Sequence, residues 1–293
     1  MSADELRQLI VAELDRPAGP EAEAIAARFR SRPGVAAVLF YGAWLRDRGG
    51  EGPLDLYVLT DSNIAYHGIG VSALANRLLP PNVYHEVAEG PPRVEAKVAV
   101  VTLKAFCARM RPEAIDTTFW ARFAQPVALL WARSPADRER VVSALTRAVE
   151  TAAWWAARFA PATAVPEEAW QALFTHTYGS ELRVEGGQRA RDLVAVAPER
   201  YLRLHTLLIE GAPVADRDAA LRAWRRRRQI GKVRNVARLM KAAFTYQGGL
   251  AYALGKVERH SGRPVELRPW ERRWPWLAAP IVLWRLWRER RLR

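Results

Sequence analysis

Residues 35–60 read VAAVLFYGAWLRDRGGEGPLDLYVLT, and this stretch decides the fold. Val35 to Tyr41 is short, apolar and partly β-branched, and it stops at Gly42, which is the composition of a buried strand ending in a turn. The polar stretch Arg46 to Pro53 separates it from a second strand, Leu54 to Thr60, which carries one acid, Asp55, near its start. A further strand is predicted from Arg93 to Thr102, RVEAKVAVVT. Its first half alternates Val94 and Ala96 against Glu95 and Lys97, so Glu95 and Lys97 share one face.

On the N-terminal side, Leu6, Ile10 and Leu14, then Ala22, Ile25, Ala26 and Phe29, recur at helical spacing, interrupted by the turn from Pro17 to Pro20. On the C-terminal side the pattern is helical from Leu103 to Arg122, breaks at Pro126, and resumes over Ala136 to Phe159, Pro166 to Thr177 and Pro198 to Ile209. Gly186-Gly187 reads as a turn. From Arg222 to Arg259, Val233, Val236, Met240, Ala243, Leu250, Leu254 and Val257 fall mostly three or four apart among Lys and Arg, a basic amphipathic helix with a break expected at Gly248-Gly249. A mixed α/β half therefore precedes a helical one. The expected division is 1–125, 126–220 as a helical domain, and 221–293 as a basic, Trp-rich segment.

Composition narrows the function classes. The single cysteine, Cys107, excludes an internal disulfide and a cysteine-based metal cluster and fits a reducing cytoplasm. The first residues carry acids where an export signal carries positive charge, and the longest apolar run, Trp276 to Trp284, contains Pro280 and falls short of the roughly 20 residues a spanning helix needs. The net charge is +14, but from Leu221 onward there are 20 Lys and Arg against 4 Asp and Glu, a net +16. The first 220 residues, with 25 against 27, sit at −2. Trp224, Trp270, Trp274, Trp276, Trp284 and Trp287 lie in that basic segment. Arginine beside tryptophan suits either nucleic acid or lipid headgroups. Continuation of the Arg225 to Arg228 run into an amphipathic helix favours an anionic membrane, contacted through residues 222–293.

A glycine turn after one strand, followed by a strand bearing an acid, is similar to the core of polymerase-beta-like nucleotidyltransferases. Backbone N–H groups at such a turn hold a triphosphate, and strand carboxylates hold Mg²⁺ that neutralises charge on the phosphates. Here the turn is Tyr41-Gly42-Ala43 and the acid Asp55. The run from Leu54 through Asp61 to Asn63, with Tyr66-His67 after it, resembles the mitochondrial translocator assembly and maintenance protein family, whose members are phosphatidate cytidylyltransferases. Three further blocks resemble that family in the same order: Arg93 to Leu103 with Lys97, Trp120 to Val127 with Arg122, and Tyr178-Gly-Ser-Glu181-Leu-Arg183. A basic helical region from Arg228 to Arg259 is the last similar stretch.

The resemblance implies an α/β + α protein: a polymerase-beta-like nucleotidyltransferase domain, a helical second domain and a basic amphipathic C-terminal segment. It implies an enzyme that transfers CMP from CTP to phosphatidic acid with Mg²⁺, peripheral on the inner, cytoplasmic face of a membrane. Asp55 and Lys97 would be catalytic, with metal held by Asp55, Asp61 and Glu95. Nucleotide would be held by Tyr41, Gly42, Ala43, His67, Arg122, Tyr178 and Arg183. Asp61-Ser62-Asn63 is equally turn composition, and His67 reads either as a phosphate or base contact or as a solvated loop residue. Two positions depart from the pattern: Ala43 where a serine is usual, and Tyr57 where the superfamily places a second acid. A nucleotidyltransferase acting on RNA or another polar acceptor, and a catalytically silent nucleotide- or lipid-binding scaffold, are the alternatives.

Overall fold

The computed structural model describes residues 3–47, 52–88, 93–161, 163–181, 186–211, 216–245 and 267–273, with isolated positions up to 288. Two helices, α1 (Ala3–Leu14) and α2 (Pro20–Arg30), lead into β1 (Val35–Tyr41); a short α3 (Ala43–Asp47) then precedes β2 (Leu54–Thr60). The chain continues through α4 (Asn63–His67), α5 (Val71–Leu78), β3 (Asn82–Ala88) and β4 (Val94–Thr102). After α6 (Leu103–Ala108) and α7 (Thr118–Phe123), β5 (Val127–Ala132) returns to the sheet. The remainder is helical: α8 (Pro135–Phe159), α9 (Pro166–Tyr178), α10 (Gly186–Ala195), α11 (Pro198–Leu208), α12 (Arg217–Thr245) and α13 (Pro269–Arg273).

The five strands form one mixed sheet in the order β3-β4-β2-β1-β5. Only β2 and β4 are parallel; the other pairs are antiparallel. Because side chains alternate across a strand, Val38, Phe40, Leu56, Val58, Val98 and Val100 face α2, packing on Ile25, Ala26 and Phe29. Leu39, Tyr57, Leu59, Ala99 and Val101 face the other way, into a core that runs without interruption through α1, α6, α7, α8, α9, α11 and α12. Burial of the all-apolar strands on both faces is what their unbroken hydrophobic runs require.

Helix α8 starts where its sequence supplies a cap. The Ser134 hydroxyl accepts a hydrogen bond from the Asp137 N–H at 3.1 Å and Pro135 occupies the first turn, where its missing N–H costs nothing.

Several expectations are corrected. A boundary at residue 125 would cut β5 from the sheet, where it pairs with β1, and would split a shared core, so residues 126–220 are not a separately cored domain. The predicted helix from Leu103 to Arg122 is two short helices, because the intervening segment turns to bury Asp116 and Thr117. Gly186-Gly187 opens a helix instead of only marking a turn. Helix α12, the start of the expected basic amphipathic helix, docks on the protein along one side and exposes Arg225, Arg226, Arg228 and Lys232 along the other. Trp224 is buried against Trp155 and Phe159, and a Cβ at Gly231 would come within 2.8 Å of the Ser180 carbonyl oxygen. Residues 246–266, including the expected break at Gly248-Gly249, lie outside the described residues.

Candidate functional site

Strand register places four side chains in one row. Tyr41 of β1 pairs with Asp55 of β2, Asp55 pairs with Lys97 of β4, and Lys97 pairs with His85 of β3. All four point to the sheet face covered by α6, α7 and α8, at the end of the sheet where β1 finishes and β2 begins. The next row inward is apolar, with Leu39, Tyr57 and Ala99 in the core. The polar row is thus the rim of the hydrophobic core.

Gly42 makes the closest approach to the acid. Its φ is +97°, a conformation L side chains rarely adopt, and a Cβ there would lie 2.8 Å from Asp55 Oδ2 and 3.3 Å from its Cβ. The turn therefore needs glycine for two reasons: the backbone bend and the space the carboxylate fills. Ala43 begins α3 directly after it. Among the described residues Asp55 makes no hydrogen bond or ion pair with a side chain.

Tyr57 stands two residues on from Asp55, on the same face, at the position where the sequence departs from the superfamily's second acid. It is 1% exposed and lies among Tyr41, Phe106, Phe119 and Phe123, with ring centroids 4.9–6.5 Å away. Its hydroxyl accepts a hydrogen bond from Arg122 Nη1 at 3.1 Å. A carboxylate at this depth would be buried among phenyl rings, which is costly without full pairing; the phenol serves as a core residue and as a prop for Arg122. The Arg122 guanidinium also lies 5.5 Å over the Tyr41 ring and 4.0 Å from Glu181. A cation is thereby held above the Tyr41 end of the row.

Beside Arg122 a cleft of about 180 Å³ opens between the sheet edge and α12, lined by Pro81, Val83, Thr118, Glu181, Asn235, Arg238 and Lys241. Arg238 is fixed by Asp116, by Thr118 Oγ1 at 3.1 Å and by the Pro80 carbonyl. Burial alone would raise the Asp116 carboxyl; the Arg238 charge and hydrogen bond, the Thr118 hydroxyl and Arg234 together hold it below its usual range. Lys241 Nζ donates to the carbonyls of Leu79 and Pro81. Burial, and then the neighbouring Arg238 charge, push its amine down to about 7.

The remaining predicted residues fall elsewhere. Asp61 lies just beyond the far end of β2, about 20 Å from Asp55 at the strand rise of about 3.3 Å per residue. Its carboxylate takes two hydrogen bonds from Arg133, at 2.5 and 2.9 Å, and that partner holds it below the usual carboxylate range. One metal ion cannot bridge that separation, so the three-acid set Asp55, Asp61 and Glu95 is corrected. Glu95 does share the face of Lys97, but its carboxylate meets His85 at 3.2 Å and Arg93 at 3.2 Å. Among the described residues no three of His, Cys, Asp and Glu come together as a metal site.

His67 sits on the opposite face of the sheet from the row, beside Tyr84 of β3. Its Nε2 meets Asn76 Nδ2 at 3.0 Å and its Nδ1 meets the Tyr84 hydroxyl at 3.2 Å, so it braces the α4–α5 corner. Tyr178 is buried against Phe174 inside the helical core, and Arg183 lies outside the described residues.

His85, Asp116, Asn235, Arg238 and Lys241 were not singled out from the sequence, or were counted only as surface charge. For Asp116 a signal existed: a lone acid flanked by Thr117 and Thr118 ahead of the apolar run Phe119-Trp120.

No family model matches the chain, and no curated protein matches it. Among the described residues no helix is long and apolar enough to cross a membrane.

Proposed function

We propose that this chain is a polymerase-beta-like nucleotidyltransferase that moves CMP from CTP to phosphatidic acid at an anionic membrane surface, giving CDP-diacylglycerol and pyrophosphate. The observation that carries the reading is the row itself: a strand carboxylate, Asp55, against a positive-φ glycine, in register with Lys97 and with Tyr41, over whose ring the Arg122 guanidinium is fixed. A carboxylate in register with a lysine at a half-buried rim, with an arginine fixed over the neighbouring tyrosine, suits a polyphosphate carrying a divalent ion.

Mg²⁺ typically takes one or two carboxylates plus phosphate oxygens, so the donor set fits with Asp55 as its protein ligand and the triphosphate supplying others. When bound, the ion neutralises charge developing on the phosphates. Lys97 and Arg122 hold the triphosphate oxygens, Lys97 as a point charge and Arg122 as a planar fork. The backbone turn at Gly42-Ala43 lets the phosphates approach the carboxylate closely. The acceptor phosphate oxygen forms a bond to the α-phosphorus while the bond to the bridging oxygen of the leaving pyrophosphate breaks, with that oxygen keeping the electron pair. Arg238, paired with Asp116, together with the Asn235 amide and the Lys241 amine gives the neighbouring cleft a wall of hydrogen-bond donors for the acceptor phosphate. Peripheral attachment to the inner face of a membrane belongs to the same proposal.

The test is incubation of the purified chain with labelled CTP, Mg²⁺ and phosphatidic acid vesicles. Labelled CDP-diacylglycerol that disappears in Asp55→Ala is the expected result; label arriving on RNA instead overturns the lipid acceptor. One observation favours a second reading, a scaffold that binds nucleotide or lipid without turnover: Tyr57 fills the second acid's position with a core aromatic. Nucleotide binding by calorimetry with no product under any acceptor supports that reading.

A further inference from the structure

Helix α5 presents an apolar ridge outward. Val71, Leu74 and Leu78, spaced three and four apart, are 83%, 57% and 71% exposed; Ile69 just ahead of the helix is 94% exposed and Ile64 of α4 60%. Isolated surface aliphatics need no explanation, but five within fifteen residues form a patch. The opposite side of α5 is fixed to the fold. Asn76 is buried, meets His67 Nε2, and accepts from the Asn82 N–H at 2.9 Å, while Asn82 Nδ2 donates to the Ser72 carbonyl at 2.9 Å. The ridge is therefore held up rigidly by groups other than itself.

The charge around the ridge is one-sided. From Ser62 to His85 there is no Asp or Glu. The C-terminal end of α5 is where Arg238 and Lys241 of α12 bind the carbonyls of Leu79, Pro80 and Pro81, and α12 exposes Arg225, Arg226, Arg228 and Lys232 further along. Exposed aliphatics on an acid-free helix beside a basic one are the composition of an element that lies in the headgroup–acyl boundary of an anionic bilayer.

We propose that Ile64, Ile69 and the α5 ridge Val71, Leu74 and Leu78 insert into the surface of an anionic bilayer, a contact distinct from the basic segment after residue 221. The inference rests on the membrane reading above and adds a place of entry: bilayer contact through α5 brings the β3 edge and the Arg238–Lys241 cleft to the lipid surface. An acceptor anchored in that surface then reaches the cleft without leaving the membrane.

The test uses the full chain and vesicles of phosphatidylcholine with phosphatidylglycerol. A solvatochromic dye attached through Leu74→Cys, in a Cys107→Ser background, should shift to the blue when vesicles are added and be quenched by lipids brominated in their acyl chains. In the otherwise unaltered chain, Leu74→Ser with Leu78→Ser should lower vesicle partitioning roughly tenfold, leave the thermal melt unchanged, and leave CMP transfer to a short-chain, monomeric phosphatidic acid intact. A chain that sediments with vesicles while the dye keeps its aqueous emission overturns insertion by α5 and leaves the membrane reading standing. Failure of the intact chain to sediment at all overturns both. Blue emission before vesicles are added means that another stretch of this chain or a second copy covers the ridge, and that too overturns the proposal.

Discussion

The two ends of β2 each carry an acid, and the two acids have opposite surroundings. Asp61, past the strand's end, is held by both terminal nitrogens of Arg133, which is itself hydrogen-bonded to Asp137. Asp55, at the strand's start, meets a glycine on one side and a lysine in register on the other, with Arg122 poised above the adjoining tyrosine. A carboxylate already neutralised by a guanidinium has little left to offer a metal ion; one that no side chain claims among the described residues has more. What separates a structural acid from a candidate ligand is therefore the geometry of the cations nearby, which sequence spacing does not report.

That contrast can be broken most directly by exchange of each carboxylate for its amide. Asp55→Asn should lower CMP transfer on the order of 1,000-fold, the scale of losing metal-assisted charge stabilisation, whereas Asp61→Asn should leave it within about twofold. Product formation from labelled CTP measures both, and equal losses would erase the distinction drawn between the two ends.

Gly42→Ala sharpens the same contrast through the backbone. The added methyl must either displace the Asp55 carboxylate or strain a positive-φ turn, so unfolding in urea should show a loss of about 2 kcal/mol, and activity should fall with it. Gly68, which also has positive φ but only open space around its missing Cβ, is the matched control: Ala there carries the backbone strain without moving the Asp55 carboxylate.

His67 should instead show itself through pH. Burial first, and then the Lys241 charge, lower the pKa of His67 from its ordinary 6.5, in keeping with an Nε2 that faces the Asn76 amide. Below about pH 6.5 the unfolded chain takes up a proton that the folded chain resists, so stability falls as the pH drops through that window and is unaffected above it. Melting temperatures between pH 7 and 5 should fall less steeply in His67→Gln than in the unaltered chain, while its CMP transfer at pH 7.5 stays unchanged. The smallest effect is expected for Asp61→Ala in stability measurements, about 0.5 kcal/mol and weaker in high salt, because a half-exposed pair at the surface contributes little.

The β1–turn–β2 unit, β4 and helices α8, α9 and α11 could be read from the sequence, because each pairs one clear hydrophobic pattern with a local stop such as Gly42 or Pro126. Strand β3 could not: NVYHEVA has no sustained alternation, since as an edge strand it is half-buried along most of its length. Strand β5, VALLWA, is an apolar run too short to tell from helix, and its pairing with β1 is decided by a partner nearly ninety residues earlier.

The site was legible in the same uneven way. Asp55 beside Gly42 and the shared face of Glu95 and Lys97 follow from turn and strand periodicity. The placement of Asp61 at the wrong end follows only from the direction of β2, and that of His67 beside Tyr84 only from packing on the sheet's other face. Tyr57 reads as a missing acid in one dimension and as the centre of an aromatic cluster in three. The charges of α12 read as surface until Asp116, buried across the chain, draws Arg238 inward.

The parallel pairing of β2 with β4 has a consequence during synthesis. Asp55 and Lys97 become neighbours only after α4, α5 and β3 have been made and the chain has crossed back to lay β4 between β3 and β2. Arg122 follows later, and the Arg238 wall of the cleft later still. A nascent chain that has completed β2 therefore carries its carboxylate before the lysine, and the two arginines after it, that the finished fold gathers along the row and the cleft.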